Sequence, residues 1–183
     1  MQNILLVVGS PASGKSSISR ALAERCAKGV HIPVDDLRTM VQAGVIHPGP
    51  VWTPELIDQL KLARQTASDM ALRYRAADFL AAIDDFWDPN SQLQEYTTLI
   101  NCPNVIPIIL KPALSVTLAR NHARKPPSEF RDQMDEGIRS VYEDLDLQES
   151  ALKAKGWRLY DTSHDTLEAS VARILADLAP AVG

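Results

Sequence analysis

The sequence predicts an α/β fold, a five-stranded parallel sheet with helices on both faces, and three observations carry that prediction. Short apolar runs of strand length alternate along the chain with longer segments of helical periodicity. That alternation calls for right-handed crossovers and a sheet covered on both sides. The first run, Ile4-Leu5-Leu6-Val7-Val8, leads directly into Gly9-Ser10-Pro11-Ala12-Ser13-Gly14-Lys15-Ser16, a full match to G-x-x-x-x-G-K-[ST]. Ile18, Ala21, Leu22 and Cys26 then recur at helical spacing, so strand, loop and helix arrive in the order this motif needs.

The rest of the chain supplies the other elements. Val30 to Val34 reads as a second strand that delivers Asp35 and Asp36 at its end, and Leu37 to Ala43 as a short helix closed by Gly44. Val45 to Thr53 is loop-like, with Pro48, Gly49, Pro50 and Trp52 close together. From Pro54, with Thr53 as N-cap, Leu56, Leu60, Ala63, Ala67, Met70 and Tyr74 mark one face of a long helix. Phe79 to Ile83 is a third strand ending in Asp84-Asp85, followed by a short helix over 89–100. Val105 to Leu110 forms a fourth strand, and Pro112 to Ala123 a helix that stops before Pro126-Pro127. Phe130, Met134, Ile138, Val141 and Leu145 line another helix, and Trp157 to Tyr160 makes the fifth strand. The last helix carries Leu167, Val171, Leu175 and Leu178, with Asp165 and Glu168 spaced as a capping box.

Length and composition narrow the class. At 183 residues the chain reads as one domain able to bury its own core. Its net charge of −4, with positive charge scattered, argues against a nucleic-acid partner. Cys26 and Cys102 are far apart, so neither a disulfide framework nor a zinc site is expected, and both read as small buried hydrophobes. The N-terminal apolar run is too short for a signal peptide or a membrane span, which points to a soluble, cytoplasmic protein.

In sheets of this kind ligands sit at the carboxyl ends of the strands. The glycine-rich loop, Asp35-Asp36, Asp84-Asp85, Lys111 and Asp161-Thr162-Ser163 all fall there. The residues from Gly9 through Ser10, Pro11, Ala12, Ser13, Gly14, Lys15, Ser16 and Ser17 present backbone N–H groups and a helix N-terminus to phosphate oxygens. Lys15 would bridge the outer phosphates and Ser16 would ligate magnesium. Asp84 or Asp85 would orient the metal through its waters; the alternative is a turn or capping aspartate. Asp35 would take the proton from an acceptor hydroxyl, and Asp36 would cap the following helix. Arg120 and Arg124, four apart on one helix face, would neutralise a transferring phosphoryl group or, alternatively, form a solvated basic helix end. Arg131 is a further candidate. Arg38, His47, Trp52 and Trp87 follow the acidic strand ends, where an acceptor would bind. His31, His122 and His164 show no ligand spacing.

Taken together, the phosphate loop, V-D-D-L-R, A-I-D-D-F-W, L-A-R-N-x-A-R and Y-D-T-S resemble the small P-loop kinases related to chloramphenicol phosphotransferase. More broadly they are similar to the zeta-toxin, gluconate and polynucleotide kinase group. The resemblance runs over nearly the whole chain. It implies a P-loop NTPase fold of the nucleoside- and shikimate-kinase kind, with ATP held by Gly9 to Ser17. It also implies Asp35 as the base of a hydroxyl kinase, Arg120 and Arg124 in a small lid around 120–131, and Thr162 near the adenine. The function expected is an ATP- and magnesium-dependent phosphotransferase acting on a hydroxyl of a small molecule. The alternatives are a nucleotide or polynucleotide-end kinase and a non-catalytic, regulatory ATP-binding protein. Neither Asn-Lys-x-Asp nor Asp-x-x-Gly occurs, which argues against a GTPase switch. Residues 44–60 match no antibiotic-kinase pocket, and the acceptor and oligomeric state stay open.

Overall fold

The computed structural model describes residues 3–49, 51–124 and 131–178. Its five strands are β1 (Ile4–Gly9), β2 (Gly29–Pro33), β3 (Leu80–Phe86), β4 (Val105–Leu110) and β5 (Arg158–Tyr160). They pair in the order β2-β3-β1-β4-β5, parallel throughout, so the expected fold class is the observed one. The helices are α1 (Lys15–Glu24), α2 (Val34–Thr39), α3 (Pro54–Ala76), α4 (Thr97–Ile100), α5 (Leu114–His122), α6 (Arg131–Ala154) and α7 (Leu167–Leu178).

The apolar run of β1 is buried along its whole length, as the central strand of a sheet covered on both faces must be. Successive side chains alternate between faces. Leu5 and Val7 join Ala82, Ile18, Leu22, Val171 and Ile174 in a core under α1 and α7. Ile4, Leu6 and Val8 join Ala81, Ile83, Ala63, Ala67, Ala71, Val141 and Leu145 in a core under α3 and α6. The alanines of α3 let that helix lie close to the sheet.

Several boundaries differ from expectation, and the differences move functional residues. α2 begins at Val34, straight after β2, so Asp35 and Asp36 lie in its first turn rather than at a strand end. Two carboxylates there favour the positive end of the helix dipole. Pro33 holds the N-cap position, so Asp36 is not a side-chain cap. β2 is an edge strand, and β3 stands between it and β1. β3 continues through Asp84 and Asp85, which are therefore inside the sheet. The helix expected over 89–100 shrinks to α4 and a preceding 3-10 turn at Gln94–Tyr96. Thr53 caps α3 as expected, its Oγ1 accepting from Leu56 N at 3.2 Å. At α7 the cap is Thr166, whose Oγ1 accepts from Ala169 N at 3.2 Å, while Asp165 pairs with Arg173 at 2.6 Å. Both cysteines are free and half-buried rather than fully buried. The expected lid includes 125–130, and those residues, with Pro50 and Phe130, lie outside the described ones.

Candidate active site

The phosphate loop is built by backbone geometry that few residues tolerate. A Cβ on Gly9 would meet the Leu110 carbonyl oxygen at 2.6 Å, so only glycine lets β1 turn away beside β4. Gly14 caps α1 at φ +94°, and Ala12 also adopts a left-handed φ of +64°. Left-handed residues within such a turn direct successive N–H groups into one concavity, which suits an anion. Two further features fit a polyphosphate. Ser13 Oγ is buried without a hydrogen-bond partner. The Lys15 ammonium is buried, and that burial lowers its pKa against the raising influence of Asp84, Asp35 and Asp85. A buried cation with no ion pair among the described residues is unusual and favours a negatively charged ligand.

Asp84 and Asp85 sit side by side in β3 and point to opposite faces. Asp84 turns towards α1, where its Oδ1 accepts from Ser16 Oγ at 3.0 Å. Its Oδ2 contacts Nε2 of His31, on the neighbouring strand β2. Among the described residues no cluster of three His, Cys, Asp or Glu side chains could hold a metal alone. Ser16 and Asp84 instead offer a hydroxyl and one carboxylate, the sparse donor set magnesium takes when phosphates and water complete its shell.

Asp85 turns towards α3 and meets Arg64. Oδ2 accepts from Arg64 Nε at 2.8 Å and from Tyr96 Oη at 3.1 Å, and Oδ1 accepts from Phe86 N at 2.8 Å. Arg64 Nη1 also pairs with Asp88 at 3.1 Å and Glu95 at 3.0 Å. Burial pushes the Asp85 carboxyl up and Arg64 pulls it back, while the surrounding carboxylates hold the guanidinium charge firmly in place. Asp85 is thus part of a buried ion network centred on Arg64.

Asp35 projects from the first turn of α2 with its side chain largely exposed, and its charge raises the pKa of both Lys15 and Asp85. It is therefore close enough to both for its charge to act on them. Arg38 Nη1 lies 3.4 Å from it, and Arg38 Nη2 donates to the Ile46 carbonyl at 2.8 Å. Gln59 braces the same loop by bonding Ile46 N and the Gly44 carbonyl. On the other flank, Arg120 Nη2 donates to the Thr162 carbonyl at 3.1 Å and Nη1 to the Ser13 carbonyl at 3.4 Å. Thr162 is buried with its own Oγ1 unpartnered. Arg124 lies past the end of α5 and so does not share a helix face with Arg120, yet its charge still lowers the Lys15 pKa.

Residues 4–145 match the family model described as an AAA domain. The chain belongs to that family. No curated protein matches this AAA domain. Among solved structures it is similar to an unliganded sugar kinase from a Janibacter species, at TM-score 0.67 and 15% identity, over 100% of this chain and 99% of that one. A shikimate kinase from Acinetobacter baumannii in complex with shikimate gives TM-score 0.67 at 13% identity, over 100% and 97%. A gluconokinase from Sinorhizobium meliloti gives 0.61 at 18%, over 97% and 91%. The fold of this AAA domain is therefore that of the small P-loop kinases.

The residues singled out in the sequence fall into groups. Asp84 meets Ser16, and Arg120 joins Ser13 to Thr162, so these residues stand at the phosphate loop of this AAA domain, while Asp35 and Arg124 act on Lys15 through their charge. Asp85 is held apart by Arg64. Trp87 is core, its Nε1 donating to Asp144 at 2.7 Å, whereas half-buried Trp52 stands edge-on to Phe86 with ring centroids 6.3 Å apart. Arg64 and Glu95 went unnoticed, and His31, set aside for want of ligand spacing, meets Asp84. His31 is a polar residue inside an otherwise apolar strand, and Arg64 interrupts the apolar stripe of α3 between Leu60 and Ala67. Either interruption is a signal legible in sequence. Glu95 carries no such mark.

Proposed function

We propose that this protein is an ATP- and magnesium-dependent phosphotransferase that phosphorylates a hydroxyl group of a small molecule. The observation that carries the reading is Asp35, an exposed carboxylate in the first turn of α2, directly after β2, whose charge also acts on Lys15. A nucleotide-binding protein without an acceptor has no use for a base there; a hydroxyl kinase does. The kinase fold of the solved neighbours supports the same reading.

In this proposal Gly9 to Ser17 cradle the phosphates with backbone N–H groups, and Ser16 and Asp84 hold magnesium. ATP supplies the phosphoryl group, and the metal offsets charge on its oxygens. Lys15 and Arg124 add positive charge where negative charge accumulates in the transition state. Arg120 ties the loop to the turn after β5, and Thr162 flanks the base of the nucleotide. Asp35 receives the proton of the attacking hydroxyl. A cytoplasmic setting belongs to the same proposal.

The test is incubation with labelled ATP, magnesium and a panel of small alcohols, followed by a search for phosphorylated product, in parallel with Asp35→Asn. The variant should keep nucleotide affinity while transfer falls by roughly 10²–10⁴-fold, as for a lost general base. Weakened nucleotide binding would make Asp35 a metal-site residue, and unchanged transfer would make it structural.

A further inference from the structure

Beside the phosphate loop lies a cavity of about 110 Å³ lined by Trp52, Ile57, Leu60, Arg64, Asp88, Asn90, Ser91 and Glu95. It adjoins the reacting centre through Phe86, the sheet partner of Gly9, on whose ring Trp52 and Arg64 both rest. A lone arginine at such a place would ordinarily suggest capture of an acid. Here the guanidinium is already engaged: Nε by Asp85, and Nη1 by Asp88 and Glu95. Three carboxylates against one guanidinium leave the cluster with an excess of negative charge, and the charge of Asp35 is felt at Asp85 as well.

The cavity is also incompletely satisfied. Arg64 is fully buried, yet among the described residues its Nη2 has no hydrogen-bond partner, and neither has Oε2 of Glu95. Both atoms have almost no exposed surface, so a ligand reaches them only as the wall shifts, and a hydroxyl, which accepts and donates, is the group that satisfies both. A carboxylate or phosphate only accepts, and would meet the carboxylates head-on in a poorly solvated space, where like charges repel most strongly.

We infer that this cavity is the acceptor subsite and that it selects hydroxyl compounds without an acidic group, preferring those that carry an amine. The inference rests on the kinase reading and deepens it by naming the substrate class. Nη2 of Arg64 donates to a ligand hydroxyl oxygen, Oε2 of Glu95 accepts from a hydroxyl or ammonium, and Trp52 covers an apolar edge.

The experiment compares glucosamine, glucose and glucuronate, which share a ring and differ in charge. The first readout is transfer from labelled ATP with the wild-type protein, within a wider alcohol panel grouped the same way. Product from the amine and neutral groups at about tenfold or more the kcat/KM of the acidic group is expected. Product mainly from acids would overturn the substrate class and leave the kinase reading standing. No product from any group would count against the kinase reading, and the second readout then judges the cavity alone. That readout follows the Trp52 indole N–H resonance, assigned with Trp52→Phe, during titration with glucosamine and with glucuronate. Glucosamine should act at about tenfold lower concentration, and Glu95→Gln should narrow that gap. Equal or absent responses, tighter binding of glucuronate, or a gap untouched by Glu95→Gln would overturn the inference.

Discussion

Asp84 and Asp85 are consecutive in one strand, yet they belong to two halves of the cleft built on different physics. On the α1 face, the phosphate half is made by backbone: a glycine with no room for a Cβ, left-handed turn residues and a helix N-terminus. Of its side chains, Ser13 Oγ has no partner among the described residues and Lys15 is buried without an ion pair among them. On the α3 face, the half proposed to take an acceptor is made by side chains locked to one another, with Asp85, Asp88, Glu95 and Tyr96 converging around Arg64. The difference teaches that removing a charge should cost function on one face and stability on the other.

The largest effect expected is on the phosphate face. Lys15→Met keeps the packing of the stem and removes the ammonium. Phosphoryl transfer should fall on the order of 10³-fold or more, since charge neutralisation at the reacting group is lost. Melting temperature should stay level or rise, because burial already works against the charged form of Lys15. A variant that transfers normally but melts early would invert the comparison.

The paired aspartates give the sharpest contrast. Asp85→Asn breaks a buried ion pair, and such losses cost about 3–5 kcal/mol. Asp84→Asn should cost less, about 1–2 kcal/mol, since Asn keeps an acceptor for Ser16 and the bond from His31 is the one most changed. It should instead weaken magnesium dependence and transfer. Urea unfolding of both variants, beside a magnesium titration, checks this. Equal destabilisation would mean that Asp84 is a structural group like its neighbour.

The two halves also differ in how much of them the sequence announces. Backbone chemistry leaves a strict pattern: Gly9, Gly14, Lys15 and Ser16 sit at fixed spacing because the turn accepts nothing else. The sheet was legible for the same reason, its runs at 4–8 and 105–110 being continuous and apolar. A side-chain network leaves only compositional traces. Arg64 meets Asp85, Asp88 and Glu95 across 21, 24 and 31 residues of chain, distances over which no periodicity speaks. Asp85 and Asp84 were indistinguishable in sequence because strand alternation assigns them to opposite faces without saying which face holds α1. The start of α2 was misread because Val34 suits a strand by propensity, whereas Pro33 at the N-cap and two aspartates in the first turn favour helix.

A smaller effect separates the two arginines on the flank of the phosphate half. Arg120→Ala removes bonds to the Ser13 and Thr162 carbonyls, so the loop loses a brace. Nucleotide affinity should drop by roughly tenfold, the worth of about one to two hydrogen bonds from a charged donor. Among the described residues Arg124 makes no such bond, and its charge acts on Lys15. Arg124→Ala should lower kcat by a few-fold, in a manner that fades at high salt, with affinity nearly unchanged. Nucleotide titrations and turnover at two ionic strengths distinguish them, and identical behaviour of the two variants would remove the distinction.

The smallest effect tests whether burial, rather than ion pairing itself, sets the cost on the α3 and α6 side. At the rim of that face Lys111, just after β4, pairs with Glu149 of α6 at 2.7 Å and with Asp146 at 2.5 Å, and Lys153 adds a second bond to Glu149. Hydrogen bonds from Lys111 and Lys153 hold the Glu149 carboxyl down to about 2, against 4.5 for the free group. A carboxyl depressed in the folded state contributes stability above its unfolded pKa and loses it as pH falls through the folded one. The window therefore runs from about 4.5 down to about 2. Because Glu149 is a third exposed, solvent screens the pair, and its worth should be about 0.2–1 kcal/mol. Glu149→Gln should melt slightly below the wild type at neutral pH, and the two curves should converge as pH is lowered through that window. Asp85→Asn, measured in the same series, should keep a far larger deficit at neutral pH, because its partners have no water to turn to. If Glu149→Gln proves as costly as Asp85→Asn, the fixed register of the networks, and not their burial, is what stabilises this side of the sheet.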